Sequence, residues 1–316
     1  MQLEIHSVTR ATASAWDQFV NNHPCGTVYH SSAWLFAVGE AMQQDVRIVA
    51  VSRNGRILGG VTFCERRKWC VCIARKPWAT AYGGVLVDPT LDPDQQNHIR
   101  SMIDKDVLGR YVHVRLEHYP GAPDAPESPA WNVTHKHTFR LDLKDATVLR
   151  TNFRGNVRRQ INKAERCGVS VARSDDTGAF YELYRSTYNR QGITLPFGNS
   201  ALKAIHHELR AVGRSRIYLA HDGEEHTAGA MITWDDRLVH YTLAGSLQTK
   251  RNNGSMSLVL WTIFKDFEGC GKTFDFIGAN SSVPGITRFK ECFNPRLVAY
   301  PVHTRWRLPL CSLLES

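Results

Sequence analysis

Residues 271–293 read Gly-Lys-Thr-Phe-Asp-Phe-Ile-Gly-Ala-Asn-Ser-Ser-Val-Pro-Gly-Ile-Thr-Arg-Phe-Lys-Glu-Cys-Phe. A short buried strand, 274–277, runs into a Gly/Asn/Ser/Pro loop. The loop delivers Arg288 and Lys290 onto a short helix. Two cations fixed beside apolar chain can hold an anion or stabilise negative charge developing on a substrate oxygen. The same pattern also fits a strand, a turn and a helix with two solvated bases. A second concentration of charge lies upstream. Arg150, Arg154, Arg158, Arg159, Lys163 and Arg166 share 148–167 with one acid, Glu165. Phosphate contact through such a run gives strongly salt-dependent binding; a solvated helix face needs no partner.

The elements that must position these residues follow from pattern. In 148–167, Leu149, Phe153, Val157, Ile161 and Ala164 keep a helical apolar stripe, and Gly168 closes the helix. A strand at 169–173 and helices at 177–191 and 200–212 follow. Segments 216–221 and 228–234 form a hairpin, 238–244 a third strand, and 255–268 a helix that leads to 271–293. Residues 296–306 supply the last strand. In the first half, helices are expected at 12–22 and from Ser31 or Ser32 to about 42. Strands 46–53 and 57–64 are joined by Asn54-Gly55, a strong hairpin signal. A strand at 69–73, a loop entering a strand over 77–87, a helix at 94–107 and a strand at 111–118 come next. The four prolines of 119–130 mark a surface loop, and 131–143 returns as extended chain. Both halves run hairpin, strand, helix, strand, which suggests two copies of one α/β unit with a cleft between them. Clefts between domains are favoured ligand sites.

Composition bounds the rest. The 316 residues suffice for two domains, and 42% hydrophobic with 22% charged residues describes a globular chain. A net charge of +9 points to anionic partners: nucleotides, pyrophosphates, tRNA or an anionic membrane surface. The start, Met-Gln-Leu-Glu-Ile-His, has neither a basic nor an apolar leader region, so no signal peptide is expected. The longest apolar run, 258–264, is too short to span a bilayer. The eight scattered cysteines suggest reduced thiols in the cytoplasm. Cys64, Cys70 and Cys72 lack zinc spacing, and His135/His137 and His206/His207 lack a partnering motif, so no metal is expected. P-loop, Rossmann and G-x-S-x-G signatures are absent.

Several segments, in order, resemble the FemABX-like branch of the GNAT acyltransferases, and the likeness covers nearly the whole chain. They are Tyr29-His30-Ser31-Ser32-Ala33-Trp34, Tyr82-Gly83-Gly84, and Asn156–Ala164 followed by Gly168-Val169. Then come Arg190-Gln191-Gly192-Ile193 and the pair Asp275-Phe276-Ile277-Gly278 and Arg288-Phe289-Lys290. The resemblance implies N-acyl transfer: an amine attacks an ester or thioester, and negative charge builds on the carbonyl oxygen. Carried over from the family, Lys290 stabilises that charge, with Arg288 as its anion-binding neighbour. Tyr241, on the third strand, is a candidate to orient the acyl group or else packs in the core. In GNAT enzymes that use acetyl-CoA, the loop matching Lys250–Met256 grips the donor pyrophosphate at a helix N-terminus. Arg251, Asn252, Asn253, Gly254 and Ser255 are the donor-binding candidates. Met256 replaces the usual last small residue, and Asn-Asn-Gly-Ser also reads as an ordinary turn and cap. Arg190, Arg158 and Arg159, with Tyr29, Trp34 and Tyr82 lining the cleft, are the acceptor-binding candidates.

The resulting expectation is an α/β fold (an α+β mixed sheet) of two tandem GNAT-like domains, 1–145 and 146–316, the second catalytic. The expected activity moves an acyl or aminoacyl group from acyl-CoA or aminoacyl-tRNA to an amine. That amine sits on a cell-envelope, sugar-nucleotide or lipid-linked precursor. No tightly bound cofactor and no DNA partner are expected. Peripheral contact with the inner membrane is allowed for, and the oligomeric state stays open. The alternative is a non-catalytic protein that keeps the fold and binds tRNA or an anionic surface.

Overall fold

The computed structural model describes residues 2–68, 71–122, 130–247, 253–278 and 284–307. The chain divides into two compact units, Met1–His137 with Ala299–Ser316, and Thr138–Val298. The sequence places the division at 145/146 and leaves the C-terminal segment in the second half. In the structure that segment counts with the first unit, and 138–145 with the second.

The first unit begins with β1 (Glu4–Ser7), α1 (Ala13–Asn22) and α2 (Ser32–Ala41). A hairpin of β2 (Asp45–Arg53) and β3 (Arg56–Lys68) follows, then β4 (Val71–Arg75), β5 (Gly84–Val87), α3 (Pro93–Met102) and β6 (His113–Glu117). Asn54 and Gly55 both take positive φ at the β2–β3 turn, as the dipeptide requires. β1, β2, β3 and β4 pair antiparallel in that order, β4 pairs β6 in parallel, and β6 pairs antiparallel with the strand at Arg296–Trp306. The helix expected over 94–107 ends at Met102; Ile103–Val107 continues as one wider π turn. The expected strand at 69–73 begins at Val71, with Trp69 and Cys70 outside the described residues.

The second unit takes the later part of β7 (Asn132–Asp142). It adds α4 (Ala146–Asn152), α5 (Gly155–Arg166), β8 (Ser170–Ser174), α6 (Thr177–Arg190) and α7 (Asn199–Ala211). Then come β9 (Ser215–Asp222), β10 (Glu225–Trp234), β11 (Leu238–Ser246), α8 (Ser255–Asp266), β12 (Thr273–Asp275) and α9 (Pro284–Glu291). β13 is the strand at Arg296–Trp306. Here the order is β8, β9, β10, β11, β12, β7, antiparallel throughout except the parallel pair β11–β12. The two units therefore share one strand order and one pattern of directions. The stripe expected on a single helix over 148–167 is buried as read, including Leu149, Phe153, Val157, Ile161 and Ala164. The helix itself is broken. Arg154 is extended (ψ 149°), and its N–H donates to the Cys292 carbonyl at 2.9 Å. Phe153 turns its ring into the cluster of Trp261, Phe264 and Phe293. A tertiary hydrogen bond and an aromatic anchor here override local helix propensity.

Candidate active site

β11 and β12 pair only from Leu238–Thr273 to His240–Asp275. Beyond that register they part. Between Met231 and Ile232 of β10 the partner on β11 skips from Leu243 to Tyr241, so Thr242 is an extra, bulged residue. Bulges bend a strand away from its neighbour. The gap opens into a cavity of about 1040 Å³ within the second unit. Its walls are the end of β11 from Tyr241, Thr227 and Ala228 of β10, the start of α5, the start of α8, residues 276–278 after β12, the end of α6, and α9.

α9 brings Lys290 to this cavity. The side chain is 5% exposed. Its ammonium donates to the Ile277 carbonyl at 2.7 Å and to the Gly278 carbonyl at 3.4 Å. Burial lowers its pKa from the ordinary lysine value to about 8, and the Asp275 charge opposes the fall. Arg288 also lines the cavity but stays exposed, its guanidinium making no hydrogen bond or ion pair among the described residues. Tyr241 stands across from them. Its hydroxyl donates to the Met256 sulfur at 3.2 Å, and burial raises its pKa well above the ordinary phenol value. Arg190 closes the α6 side. Its guanidinium donates to the Ser246 carbonyl at 2.8 Å and contacts the Thr187 and Ser246 hydroxyls.

At the start of α8, Asn253 acts as a cap. Its Oδ1 accepts from the Ser255 N–H at 3.2 Å and from the Ser255 hydroxyl at 2.5 Å, while its Nδ2 donates to Asp222 at 2.9 Å. Gly254 has φ +79°, and a Cβ there would stand 2.2 Å from the Gln160 carbonyl oxygen of α5. A left-handed residue under a helix backbone must be glycine. Arg251 and Asn252 lie outside the described residues.

The structure does not bring the other sequence candidates here. Arg158 and Arg159 are exposed on α5 and are not among the residues that line the cavity. Tyr29, Trp34 and Tyr82, expected to contact an acceptor, are 0%, 1% and 0% exposed in the first unit's aromatic core. Their rings pack edge to face on one another and on Tyr300, and the Trp34 indole donates to Thr80. They are core residues, because an aromatic motif carries the same signal whether it packs or binds. Sequence reasoning missed Asp275. It is fully buried, and accepts from the Thr138 hydroxyl at 2.6 Å, the Arg140 guanidinium at 3.3 Å and the Ile277 N–H at 2.8 Å. An acid between two phenylalanines of a buried strand was the available signal, since aspartate is almost never buried unpaired.

Among the described residues no group of three or more His, Cys, Asp or Glu side chains could hold a metal ion, and no helix is long and apolar enough to cross a membrane. Residues 151–291 match the acetyltransferase (GNAT) domain family. No curated protein matches the sequence. A crystal structure of FemX superposes with TM-score 0.74 at 16% identity, covering 99% of this chain and 100% of that one. A tandem GNAT protein from the clavulanic acid biosynthesis pathway gives TM-score 0.54 at 11% identity, covering 98% and 99%. L-PGS from Bacillus licheniformis gives 0.57 at 14% identity, with 89% of each chain covered. Residues 151–291 of the second unit thus match an acetyltransferase (GNAT) domain, and the chain has the fold seen in FemX and in a tandem GNAT protein.

Proposed function

We propose that the protein transfers an acyl or aminoacyl group from an activated donor to an amine, with the chemistry in the cavity between β11 and β12. The observation that carries this reading is Lys290: a buried ammonium held at the wall of a cavity by two backbone carbonyls. An ammonium has three N–H donors. Two go to Ile277 and Gly278, and the third is left for an oxygen of the substrate. In the reaction the acceptor nitrogen attacks the carbonyl carbon, a C–N bond forms, and the oxygen takes up negative charge. The ester or thioester bond then breaks, the leaving group departs as alcohol or thiol, and the nitrogen gives up one proton. Lys290 stabilises the oxyanion of the intermediate. Tyr241 orients the acyl group, Arg288 holds an anionic group at the mouth, and Arg190 meets acceptor phosphates or carboxylates.

The donor lies along the free edge of β11 toward Asn253, Gly254 and Ser255, with Arg251 and Asn252 as further donor contacts. The donor is acyl-CoA or aminoacyl-tRNA, and the acceptor an amine on an envelope, sugar-nucleotide or lipid-linked precursor met in the cytoplasm or at the inner membrane surface. The fold's presence in a protein from the clavulanic acid biosynthesis pathway supports an acceptor range that includes small molecules.

The test is acyl transfer by the purified protein from acetyl-CoA and from charged tRNA to a panel of amines. Lys290→Met is expected to lower kcat about 100- to 1,000-fold, the loss typical of one oxyanion donor, with an unchanged melting temperature or a higher one. Near-normal turnover in that variant rejects the assignment. Titration of both donors over a range of salt separates them. Tight CoA binding with a shallow salt slope excludes the tRNA version.

A further inference from the structure

Ile277 has φ +58°, a conformation that a β-branched residue rarely adopts. Such a residue persists where its surroundings over-determine it, and these outliers cluster at functional sites. Two contacts hold this one. On the N–H side, Asp275 Oδ1 accepts from Ile277 at 2.8 Å. On the carbonyl side, the Ile277 oxygen accepts from the Lys290 ammonium at 2.7 Å. Asp275 is itself fixed from behind, at 0% exposure, by the Thr138 hydroxyl and the Arg140 guanidinium of β7. A chain of contacts therefore runs from β7 through Asp275 and one left-handed peptide to Lys290, the only lysine among the described residues that lines the cavity.

We propose that Asp275 is a positioning residue: by pinning the Ile277 peptide it aims the carbonyls of Ile277 and Gly278 at the Lys290 ammonium and so sets where that cation stands in the cavity. Its negative charge also opposes the desolvation of Lys290. A carboxylate that only stapled β12 to β7 would need the bonds to Thr138 and Arg140, but not the bond to Ile277. The inference rests on the acyltransferase reading for its effect on turnover, and on geometry alone for its effect on Lys290.

The decisive variant is Asp275→Asn, which keeps the size of the side chain and an oxygen acceptor while removing the charge. Lys290 is followed by its 13Cε resonance in lysine-labelled protein, assigned with Lys290→Met. The titration midpoint is expected about one pH unit lower in Asp275→Asn. Turnover is expected to fall about tenfold or more, with KM for donor and acceptor changed less than about twofold. A lower melting temperature with the midpoint and kcat per folded enzyme unchanged would mean a staple only, and overturns the proposal. Should Asp275→Asn not fold, the wild-type protein decides. The Ile277 and Gly278 carbonyl carbons are expected to titrate with the Lys290 midpoint, and the Ile277 amide to exchange slowly. Carbonyl shifts that ignore Lys290, or a fast Ile277 amide, overturn it as well. If the wild type transfers no acyl group at all, the acyltransferase reading fails while these resonances still judge Asp275.

Discussion

Lys290 carries its charge where burial disfavours it, and pH separates the consequences. Its folded pKa is lowered from 10.5 to about 8, so between those values the unfolded chain binds the extra proton. Stability from this group therefore rises with pH across that window, by up to about 3 kcal/mol, and the cost is fully present below about 8. Turnover should move the other way. In the proposed role Lys290 must be protonated to meet the oxyanion, so kcat is expected to fall as pH rises through about 8, measured with an acceptor amine whose own titration lies below the window. Comparing the pH dependence of melting in wild type and Lys290→Met isolates the stability part; identical slopes would show that Lys290 is not titrating in the folded protein. Residues of this kind divide sharply in how far the sequence reveals them. Lys290, Arg288 and Arg190 sit in short motifs and Tyr241 on an expected strand, and all four line the cavity. Tyr29, Trp34 and Tyr82 sit in motifs too, yet they are core, because residue type does not encode which side of a loop faces solvent. Asp275 stayed hidden because its partners, Thr138 and Arg140, are more than 130 residues away in the chain.

The start of α8 depends on a backbone that only glycine supplies. Gly254 combines a left-handed φ with a close approach to α5, at the Gln160 carbonyl. Gly254→Ala is expected to cost about 2–3 kcal/mol through strain and overpacking. Because α8 must shift to relieve the clash, donor binding should weaken more than kcat falls. Chemical denaturation and a donor titration check the two parts, and an alanine variant as stable as wild type would contradict the close packing. Elements like this one were readable where periodicity was strong. The α5 stripe, the two hairpins and the limits of α6 and α8 all follow from spacing and turn residues. The break at Phe153–Arg154 was not readable, since it is set by the Cys292 carbonyl and by rings from α8 and the segment after α9. The division between units was misplaced for a similar reason. β13 counts with the first unit through its pairing with β6, and no local pattern announces a strand's partner.

The two units repeat one strand order, yet only the second keeps the gap open. In the second, β11 runs unbroken past its parallel pair with β12, and one bulged residue, Thr242, parts the strands. In the first, β4 ends at Arg75, and β5 takes up the pairing with β3 from Gly84. The chain between, 76–83, folds back against the end of β6. The Gly83 N–H donates to the Glu117 carbonyl at 2.7 Å, Tyr82 is fully buried, and the Lys76 ammonium donates to the Glu117 carboxylate at 2.9 Å. Lys136 and Arg115 also reach Glu117, at 3.1 and 3.3 Å. Burial alone would raise this carboxyl, and Lys76 and Lys136 hold it below the usual range. Its contribution to stability is therefore present above the unfolded carboxyl pKa and is lost as pH falls through the lower folded value. A gap filled in this way has a structural use. Glu117→Gln should accordingly destabilise the protein by about 2 kcal/mol. That is less than a fully buried broken pair costs, because a third of the Lys76 side chain faces water. The same variant should leave kcat for acyl transfer within about twofold of wild type at a temperature where it stays folded, because every described residue lining the proposed reaction cavity belongs to the second unit. Denaturation and steady-state kinetics on one preparation measure both. A large loss of turnover without a loss of stability would assign the first unit a part in the chemistry that its closed gap argues against.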